Sequence, residues 1–368
     1  MKCKGCGVEI QTFNDDVPGY IPADVLERRQ KEGKEILCQR CFHLKHYGKF
    51  KKEKKGVKSL DSLKKYLHLA KNVIYVIDIF DFDGTYREEI VELLKEHNVY
   101  YVINKVDLVP KEVAPPEIKK WARDRLKVQS TRVKLLSAKV GRGVSGFVKF
   151  LKSKKDRRFL VVGVTNVGKS SVLNALTGEG QLTASKYPGT TLELVQLKNE
   201  DTGLTLIDTP GIFTNDRVTD LLDPWCQAKI MPQKKLTVTT INAKKDRTVF
   251  FSSFVSITVK GYKGRRSPIF HILTSENVVV HETNPEKAEE RWSEWFGRFL
   301  VPPCGNSGFD NYKFENHQLR LEAGQEIHIC GLGWVNVARG PAEFTLKLPE
   351  SVKWVVRDAL IGPYKFKK

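Results

Sequence analysis

The sequence lacks any long hydrophobic run. None of its 368 residues belongs to a stretch approaching the ~18 consecutive apolar residues of a membrane-spanning helix. The first residues, Met-Lys-Cys-Lys-Gly-Cys, have no apolar segment behind them, so the pattern of a secretory signal is missing as well. Lipidation motifs and amphipathic membrane anchors are also absent. We therefore predict a cytoplasmic, monomeric protein without a membrane partner.

Acidic side chains are in the minority. The chain has 43 Asp and Glu against 62 Lys and Arg, which leaves a net charge of +19. A chain of this length is expected to form two or three domains with cores of their own, which excludes disorder throughout. The positive surplus is +7 in residues 1–70, +5 in 71–220 and +7 in 221–368. Two basic flanks of this kind indicate a polyanion as partner.

Two segments concentrate the positive charge. Residues 45–58 hold seven lysines against one acidic residue, a pattern that fits a solvated surface and a polyanion site equally well. Residues 229–266 hold ten Lys and Arg, interleaved with Phe250, Phe251, Phe254 and Tyr262. Basic grooves with stacking aromatics bind single-stranded nucleic acid, so the second segment is a predicted RNA-binding surface. Because residues 248–259 also alternate like strands, some of these aromatics are expected in a core.

Four of the seven cysteines form two Cys-x-x-Cys pairs, Cys3 with Cys6 and Cys38 with Cys41. Four thiolates can complete the tetrahedral shell of one structural zinc ion, and the spacing suits a small treble-clef or ribbon module. Redox-active pairs are the competing interpretation. We predict zinc, because both pairs flank one small polar module.

A phosphate-binding loop follows a predicted buried strand in the middle of the chain. The motif Gly163-x-x-x-x-Gly168-Lys169-Ser170 lies between the apolar residues 159–162 and an amphipathic helix. In such loops the backbone amides bind the phosphates, the lysine reaches the β- and γ-phosphates, and the serine coordinates magnesium. Val167 and Ser171 complete the predicted nucleotide contacts within the motif.

Two further motifs indicate a nucleoside triphosphatase. Residues 204–208 form an apolar strand ending at Asp208, which can hold magnesium through water, and the amide of Gly211 can sense a γ-phosphate. Residues 187–191 read Tyr-Pro-Gly-Thr-Thr. We predict that Thr191, beside Thr190, completes the magnesium shell when nucleotide is bound.

The motifs that specify the base lie upstream of the phosphate-binding loop. Asn104-Lys105-x-Asp107 ends a predicted strand, and its aspartate can accept two hydrogen bonds from the ring N–H and the amino group of guanine. Adenine cannot match that pattern. Ser137-Ala138-Lys139 follows another short strand and would present a backbone amide to the guanine oxygen. We therefore predict GTP and GDP as ligands.

The order of these motifs predicts a circular permutation. In ordinary GTPases the guanine motifs follow the two switches, whereas here they precede the phosphate-binding loop. Domain termini are often close together, so a short link, here residues 153–158, can join the old ends. The permutation opens the fold just after Gly211. Whatever follows, namely the basic C-terminal region, is attached to the element that responds to γ-phosphate.

The chain resembles the YqeH-type permuted GTPases over nearly its whole length. The resemblance rests on the four-cysteine N-terminal segment and on the motifs NKVD, SAK, GVTNVGKSS, PGTT and DTPG in that order. It implies an α/β, circularly permuted Ras-like P-loop domain, with an N-terminal zinc module and a C-terminal β-rich (α+β) domain similar to RNA- or peptide-binding modules. It also implies a GTPase in ribosome biogenesis, assembling the small (30S) subunit through rRNA contacts. We place the domains at 1–58, 59–217 and 218–368.

Two residues bear on the rate of hydrolysis. Ile212 occupies the position where a Ras-like switch carries the glutamine that orients water, so slow intrinsic hydrolysis is expected. Asn166 matches the asparagine that coordinates potassium in cation-stimulated relatives, where the ion would supply the charge that an arginine finger supplies elsewhere. A purely structural role for Asn166 is the alternative. The predicted catalytic residues are thus Asn166, Lys169, Thr191 and Gly211.

We interpret the chain as a switch whose GTP-bound form orders its switch segments and positions the flanking domains on rRNA. Two rival interpretations stay open. One is a GTPase switch for a protein or membrane partner. The other is a nucleic-acid scaffold that uses GTP as a structural ligand with little turnover, which Ile212 leaves open.

Two smaller predictions concern local structure. Residues 72–78 form a further parallel strand, and the three carboxylates Asp78, Asp81 and Asp83 end it and enter a loop near the site rather than forming a metal cluster. A helix after residue 285 carries Trp292, Trp295 and Phe296, whose spacing favours a core over a stacking platform.

Overall fold

The structure is a computed structural model that describes residues 1, 9–13, 19–38, 60–178, 182–186, 195–245, 247–262, 266–304 and 308–362. Of residues 182–186 it describes the backbone. The chain divides into two compact units, one made of Met1–Val57 with Leu222–Met231 and one of Lys58–Leu221 with Pro232–Lys368. The predicted division into three domains at 1–58, 59–217 and 218–368 stays a prediction.

The helices within the described residues are α1 (Ala23–Lys31), α2 (Leu60–Lys64), α3 (Phe82–Thr85), α4 (Glu88–Leu93), α5 (Pro115–Leu126), α6 (Val144–Lys152), α7 (Lys169–Thr177), α8 (Pro224–Ile230) and α9 (Ala288–Trp295). The strands are β1 (Asn72–Asp78), β2 (Asn98–Asn104), β3 (Val133–Leu135), β4 (Arg158–Val162), β5 (Leu182–Lys186), β6 (Val195–Asn199), β7 (Leu204–Asp208), β8 (Thr237–Asn242), β9 (Thr248–Phe251), β10 (Val255–Gly261), β11 (Ile269–Thr274), β12 (Val280–Thr283), β13 (Phe314–Leu321), β14 (Gln325–Ile329), β15 (Gly333–Arg339), β16 (Ala342–Pro349) and β17 (Trp354–Asp358). Within these residues no helix is long and apolar enough to cross a membrane.

In the first unit, α1 is amphipathic and at least partly exposed along its length. Leu37 and Cys38 are buried, and Ile10 packs against them. Another helix of this unit, α8, begins after Asp223, whose side chain accepts a hydrogen bond from the Cys226 amide at 2.9 Å. Such an N-cap satisfies one of the donors that the first turn of a helix leaves unpaired.

The second unit contains a seven-stranded sheet in the order β3-β2-β1-β4-β7-β6-β5. Strands β1, β2, β3, β4 and β7 run parallel, while β6 and β5 are antiparallel. All seven residues of β1 are buried, as expected of a parallel strand covered on both faces. The predicted parallel strand at residues 72–78 is confirmed. Because Asp78 lies opposite Asn104, the ends of β1 and β2 meet at one edge of the sheet.

Two antiparallel five-stranded sheets follow, β12-β9-β10-β16-β13 and β17-β14-β15-β11-β8. The predicted β-rich C-terminal region is therefore confirmed. Its core is continuous with that of the seven-stranded sheet, since Leu273, Trp334 and Ile361 join the same hydrophobic cluster. The Trp334 indole N–H donates to the Phe80 carbonyl oxygen at 2.9 Å, which fixes the two parts to each other.

The aromatic residues of segment 229–266 pack differently from the stacking prediction. Phe250, Phe251 and Phe254 are completely buried, so they cannot stack on nucleobases, and that part of the prediction is wrong. The physical reason is that all four residues of β9, including Phe250 and Phe251, are buried, and Phe254 is buried in the turn between β9 and β10. The expectation that some of these aromatics lie in a core is confirmed. By contrast, Trp292 and Phe296 are buried as predicted.

Candidate nucleotide site

The phosphate-binding loop joins β4 to α7 and is fixed by close backbone packing. A Cβ at Gly163 would lie 2.8 Å from the Val76 carbonyl oxygen, so no other residue fits there. Gly168 has a φ of 86° and precedes the first residue of α7, Lys169. A Cβ at Gly168 would lie 2.6 Å from the Asn104 side-chain nitrogen. The loop thus directs the N-terminus of α7 at a site suited to phosphate.

The guanine motif and the phosphate-binding loop contact each other directly. Asn104, the last residue of β2, donates from its side chain to the Val167 carbonyl at 3.0 Å and accepts from the Ala138 amide at 3.2 Å. The Lys105 ammonium donates to the Asn166 carbonyl at 2.8 Å. The sequence predicts that these motifs share one nucleotide, and the structure brings them together in one place.

Lys105 has a second partner that the sequence does not reveal. Its ammonium forms an ion pair of 2.6 Å with Asp78 Oδ2, at the end of β1. Burial raises the pKa of Asp78, while the neighbouring Lys105 ammonium lowers it in part. The pair ties the neighbouring strands β1 and β2 to the phosphate-binding loop.

The residues predicted to read the base lie beside one another. The Ser137 hydroxyl donates to Asp107 Oδ1, which holds the carboxylate in place. The Lys139 ammonium points elsewhere, because it donates to the Gln233 carbonyl at 2.6 Å. Ser137 is fully buried, and Asp107 lies in the turn that follows β2. The Asp107 carboxylate therefore lies just beyond the edge of the sheet at which the parallel strands end.

Asp208 ends β7 in the position that a magnesium ligand requires. Within the described residues its Oδ1 is buried and has no hydrogen-bond partner. Burial raises the pKa of Asp208, and the Lys169 ammonium offsets part of that rise. A buried carboxylate oxygen without a donor fits a bound cation, so Asp208 and Ser170 would hold magnesium here. The predicted partners Thr190 and Thr191 lie outside the described residues.

Switch II packs against the phosphate-binding loop through Gly211. A Cβ at this position would lie 3.0 Å from Thr165 Cγ2 and 3.5 Å from Lys169 Nζ, so a larger residue would press on the Thr165 side chain. The next residue, Ile212, donates its amide to the Gly163 carbonyl at 3.1 Å and accepts from the Thr165 amide at 2.9 Å. Its side chain is 7% exposed and belongs to the hydrophobic core. The aliphatic side chain therefore cannot orient a water molecule.

A buried arginine behind the loop is a residue that sequence reasoning missed. Arg217 is 3% exposed, and its guanidinium donates to Thr165 Oγ1 at 3.2 Å and to Asp220 Oδ1 at 2.8 Å. It also lies 3.4 Å from Asp81 Oδ2. Burial alone would lower the pKa of Arg217, but the two carboxylates raise it above its ordinary value. Arg217 is six residues beyond Gly211 with no motif around it, so no local signal marks it.

The three carboxylates at the end of β1 and just beyond it pair with different basic side chains. Asp78 pairs with Lys105, Asp81 with Arg217, and Asp83 with Arg125 and Arg357. Asp81 Oδ1 also accepts a hydrogen bond from the Gly331 amide at 2.8 Å. These contacts link the edge of the nucleotide site to the β-rich region.

The predicted zinc ligands fall mostly outside the described residues. Cys3, Cys6 and Cys41 lie there, while Cys38 is described and is 1% exposed. Four-cysteine zinc binding therefore stays a prediction.

The sheet order and the contacts among the four described motifs fit a circularly permuted P-loop GTPase. Residues 158–253 match the family described as "50S ribosome-binding GTPase", and residues 265–360 match "YqeH-like, C-terminal". These two matches, together with the relatives below, support a circularly permuted GTPase of the YqeH type.

Relatives of known sequence or structure resemble the chain to different extents. "Uncharacterized protein YqeH" of Bacillus subtilis (strain 168) is 29% identical and covers 98% of this chain and 99% of its own length. "NO-associated protein 1, chloroplastic/mitochondrial" of Arabidopsis thaliana is 26% identical, over 91% of this chain and 69% of its own length. The crystal structure of GNP-bound YlqF from T. maritima matches at 24% identity with a TM-score of 0.34, over 48% of this chain and 67% of that one.

Proposed function

We propose that this GTPase is a cytoplasmic switch in ribosome biogenesis that acts in assembly of the small subunit through rRNA contacts. One observation carries the proposal: the segment after switch II is hydrogen-bonded to the basic β-rich region. The Lys353 amide donates to the Asp216 carbonyl at 2.7 Å, and the Val218 amide donates to the Cys330 carbonyl at 2.8 Å. A shift of Gly211 with γ-phosphate would therefore reach the β-rich region without an intervening linker.

The surface that would bind rRNA lies at one end of the sheet containing β8 and β11. Lys244 and Lys245 follow β8, Arg266 precedes β11, and all three are exposed. The Ala243 amide donates to the Pro268 carbonyl at 2.9 Å, which holds the two loops side by side. We call these three residues the basic loop cluster. With the phenylalanines buried, its role is to bind phosphates rather than bases.

Sedimentation with purified ribosomal subunits tests the proposal. We expect binding to the small subunit with a non-hydrolysable GTP analogue and release with GDP, and we expect Lys169→Ala to abolish the difference. Equal binding in all three conditions would refute the switch. Binding to the large subunit alone would instead favour the function in the description of the matched GTPase family, and would refute the small-subunit assignment.

Variants of the basic loop cluster test the rRNA surface. Lys244→Ala with Lys245→Ala should weaken RNA binding and lower the slope of log affinity against log salt by about one for each phosphate that the variant no longer neutralises. Lys149→Ala with Lys152→Ala, on α6, is the matched control and should leave the slope unchanged. An unchanged slope in the first variant would exclude the cluster as the RNA surface.

We also propose that potassium stimulates hydrolysis through Asn166. Its φ of 69° places it in the left-handed region, and the Lys105 ammonium holds its carbonyl oxygen at 2.8 Å. A cation there would supply positive charge to the transition state, and Ile212 provides no polar group that could take over this role. GTP turnover by the wild type should be faster in potassium chloride than in sodium chloride. Asn166→Asp should remove this difference. The control Asn174→Asp, on the exposed face of α7, should keep it. Equal wild-type rates in both salts would sink the idea.

The burial of Ile212 favours a second candidate function, a GTP-dependent nucleic-acid scaffold with slow or no turnover. Ile212 stands where a Ras-like enzyme has the glutamine that orients water, and its side chain lies in the hydrophobic core. Turnover assays with potassium and ribosomal subunits separate the two functions. GTP-dependent RNA binding without measurable phosphate release would establish the scaffold.

A further inference from the structure

A cysteine, a histidine and an aspartate from distant parts of the chain converge behind the nucleotide site. Asp81 follows β1, whereas His328 lies in β14 and Cys330 directly after it. All three are buried, and one donor atom from each lies within 4.8 Å of the other two. We propose that Asp81, His328 and Cys330 bind a divalent transition-metal ion of the zinc class. We call this the buried metal site, separate from both the magnesium position and the N-terminal cysteines.

The histidine gives the first argument. His328 is completely buried, and its Nδ1 lies 3.0 Å from Asp83 Oδ2. Among the described residues its Nε2 has no hydrogen-bond partner, although it lies 3.5 Å from Asp81 Oδ1. Buried polar atoms are almost always paired, so an unpaired Nε2 needs an explanation. A carboxylate that holds one ring nitrogen while the other faces an oxygen and a thiol is the arrangement found around metal-bound histidines.

The other two ligands are held in position by the backbone. Asp81 Oδ1 accepts from the Gly331 amide at 2.8 Å, and Oδ2 lies 3.4 Å from the Arg217 guanidinium. The Cys330 amide donates to the Lys353 carbonyl at 3.0 Å, and the Cys330 carbonyl accepts from Val218 at 2.8 Å. The cysteine backbone is thus fixed on both sides while its thiol faces the cluster. These contacts exist without a metal and would reduce the ordering cost of binding one.

The donor chemistry selects the class of ion. A thiolate, an imidazole and a carboxylate together favour zinc and similar borderline-soft ions, whereas magnesium and calcium favour oxygen ligands alone.

The competing explanation is an ion-pair network without metal. Asp81 and Asp83 could both be held by direct contacts with His328, with Arg217 and Arg357 completing the network. Such a network requires no thiol, whereas the metal site requires Cys330. Substitution of the cysteine therefore distinguishes them.

Metal analysis of the full-length chain tests the proposal. The background is Cys3→Ser with Cys6→Ser, which removes the predicted N-terminal zinc site, and the protein is loaded with zinc and then desalted. We expect about one equivalent of zinc to remain, and we expect the further substitution Cys330→Ser to remove it. GTP binding by each variant reports that the protein is folded.

Cobalt provides a second readout of the same site. The Cys3→Ser, Cys6→Ser protein loaded with Co²⁺ should show a sulfur-to-cobalt charge-transfer band, and Cys330→Ala or His328→Asn should abolish or shift it. Less than a tenth of an equivalent of zinc in the background protein would overturn the proposal. So would a zinc content or a cobalt spectrum that Cys330→Ser and Cys330→Ala leave unchanged, the result expected of adventitious binding. Neither result depends on the ribosomal function, because neither assay contains RNA.

Discussion

The Arg217 guanidinium donates a hydrogen bond to the Thr165 hydroxyl across 3.2 Å, and this contact joins the segment after switch II to the phosphate-binding loop. Thr165 packs against Gly211, and Arg217 follows Gly211 by six residues. The buried guanidinium therefore contacts both the phosphate-binding loop and the segment after switch II. The arginine is also surrounded by Asp81 and Asp220, which makes it the centre of a network rather than half of a single pair.

Replacing this arginine should destabilise the protein strongly. Arg217→Met leaves the buried carboxylate of Asp81 and the partly buried carboxylate of Asp220 without this cation. Breaking a buried ion pair in this way costs about 3–5 kcal/mol of unfolding free energy. Urea denaturation measures the loss. Lys64→Met, which breaks the exposed pair of Lys64 with Asp61, is the control and should cost nothing measurable. A loss below about 1 kcal/mol for Arg217→Met would contradict the role of the network.

Substitution of the base-reading aspartate should change nucleotide choice. Asp107→Asn replaces an acceptor-only carboxylate with an amide, which loses the charge-assisted bonds to guanine. We expect GTP affinity to fall about 100-fold, the equivalent of about 3 kcal/mol, and xanthosine triphosphate to bind better than GTP. Titration with fluorescent nucleotide analogues measures both affinities. Asp124→Asn, on the exposed part of α5, should leave GTP affinity unchanged; an equal fall there would assign the effect to general charge loss.

Alkaline pH should destabilise the protein through buried tyrosines. Burial raises the pKa of Tyr101 to about 12, and burial also raises the pKa of Tyr75. The folded state keeps a phenolic proton that the unfolded chain loses near pH 10, so this stabilisation is complete below pH 10 and is lost as the pH rises towards 12. For Tyr101 the full loss is about 3 kcal/mol.

Tyr101→Phe should therefore reduce the fall in unfolding free energy between pH 9 and pH 11. Denaturant titrations at both values measure the difference, with Tyr262→Phe as the control on a partly exposed tyrosine. An equal fall in the wild type and in Tyr101→Phe would show that the Tyr101 phenol does not titrate between the two states.

The phenylalanines of the basic segment should affect stability and not RNA binding. Phe251 is completely buried, and its truncation to alanine should cost about 3–5 kcal/mol of unfolding free energy. Phe299, which is 48% exposed, is the matched position, and Phe299→Ala should cost far less. RNA affinity of Phe251→Ala, measured at a temperature where it stays folded, should equal that of the wild type. A selective loss of RNA affinity would restore the stacking role.

The sequence predicts the nucleotide motifs well because each one combines a local pattern with a strand end. Asn104 and Asp208 end β2 and β7, and residues at the carboxyl ends of parallel strands meet at one edge of the sheet. The partners of Asp83 could not be predicted in the same way. Arg357 lies 274 residues further along the chain, and no periodicity or motif connects positions so far apart.

The aromatic residues show a different limit of sequence reasoning. Phe250 and Phe251 lie on a strand within a segment rich in basic residues, and both an RNA-binding groove and a buried sheet can contain that combination. Alternation assigns side chains to opposite faces, but it does not say which face meets solvent. The packing of α9 and of the second sheet decides that question, and neither follows from the local sequence.

The hydrogen bonds that hold Asp216 and Val218 also limit how far switch II can travel. Asp216 is anchored to Lys353, and Arg87 forms an ion pair with its carboxylate, so the tether from Gly211 to a fixed point is five residues long. A fully extended chain of that length spans about 17 Å, so Gly211 lies at most that far from Asp216. We expect this short tether to limit the movement of switch II. Lengthening the tether should uncouple nucleotide turnover from RNA binding while leaving each activity intact.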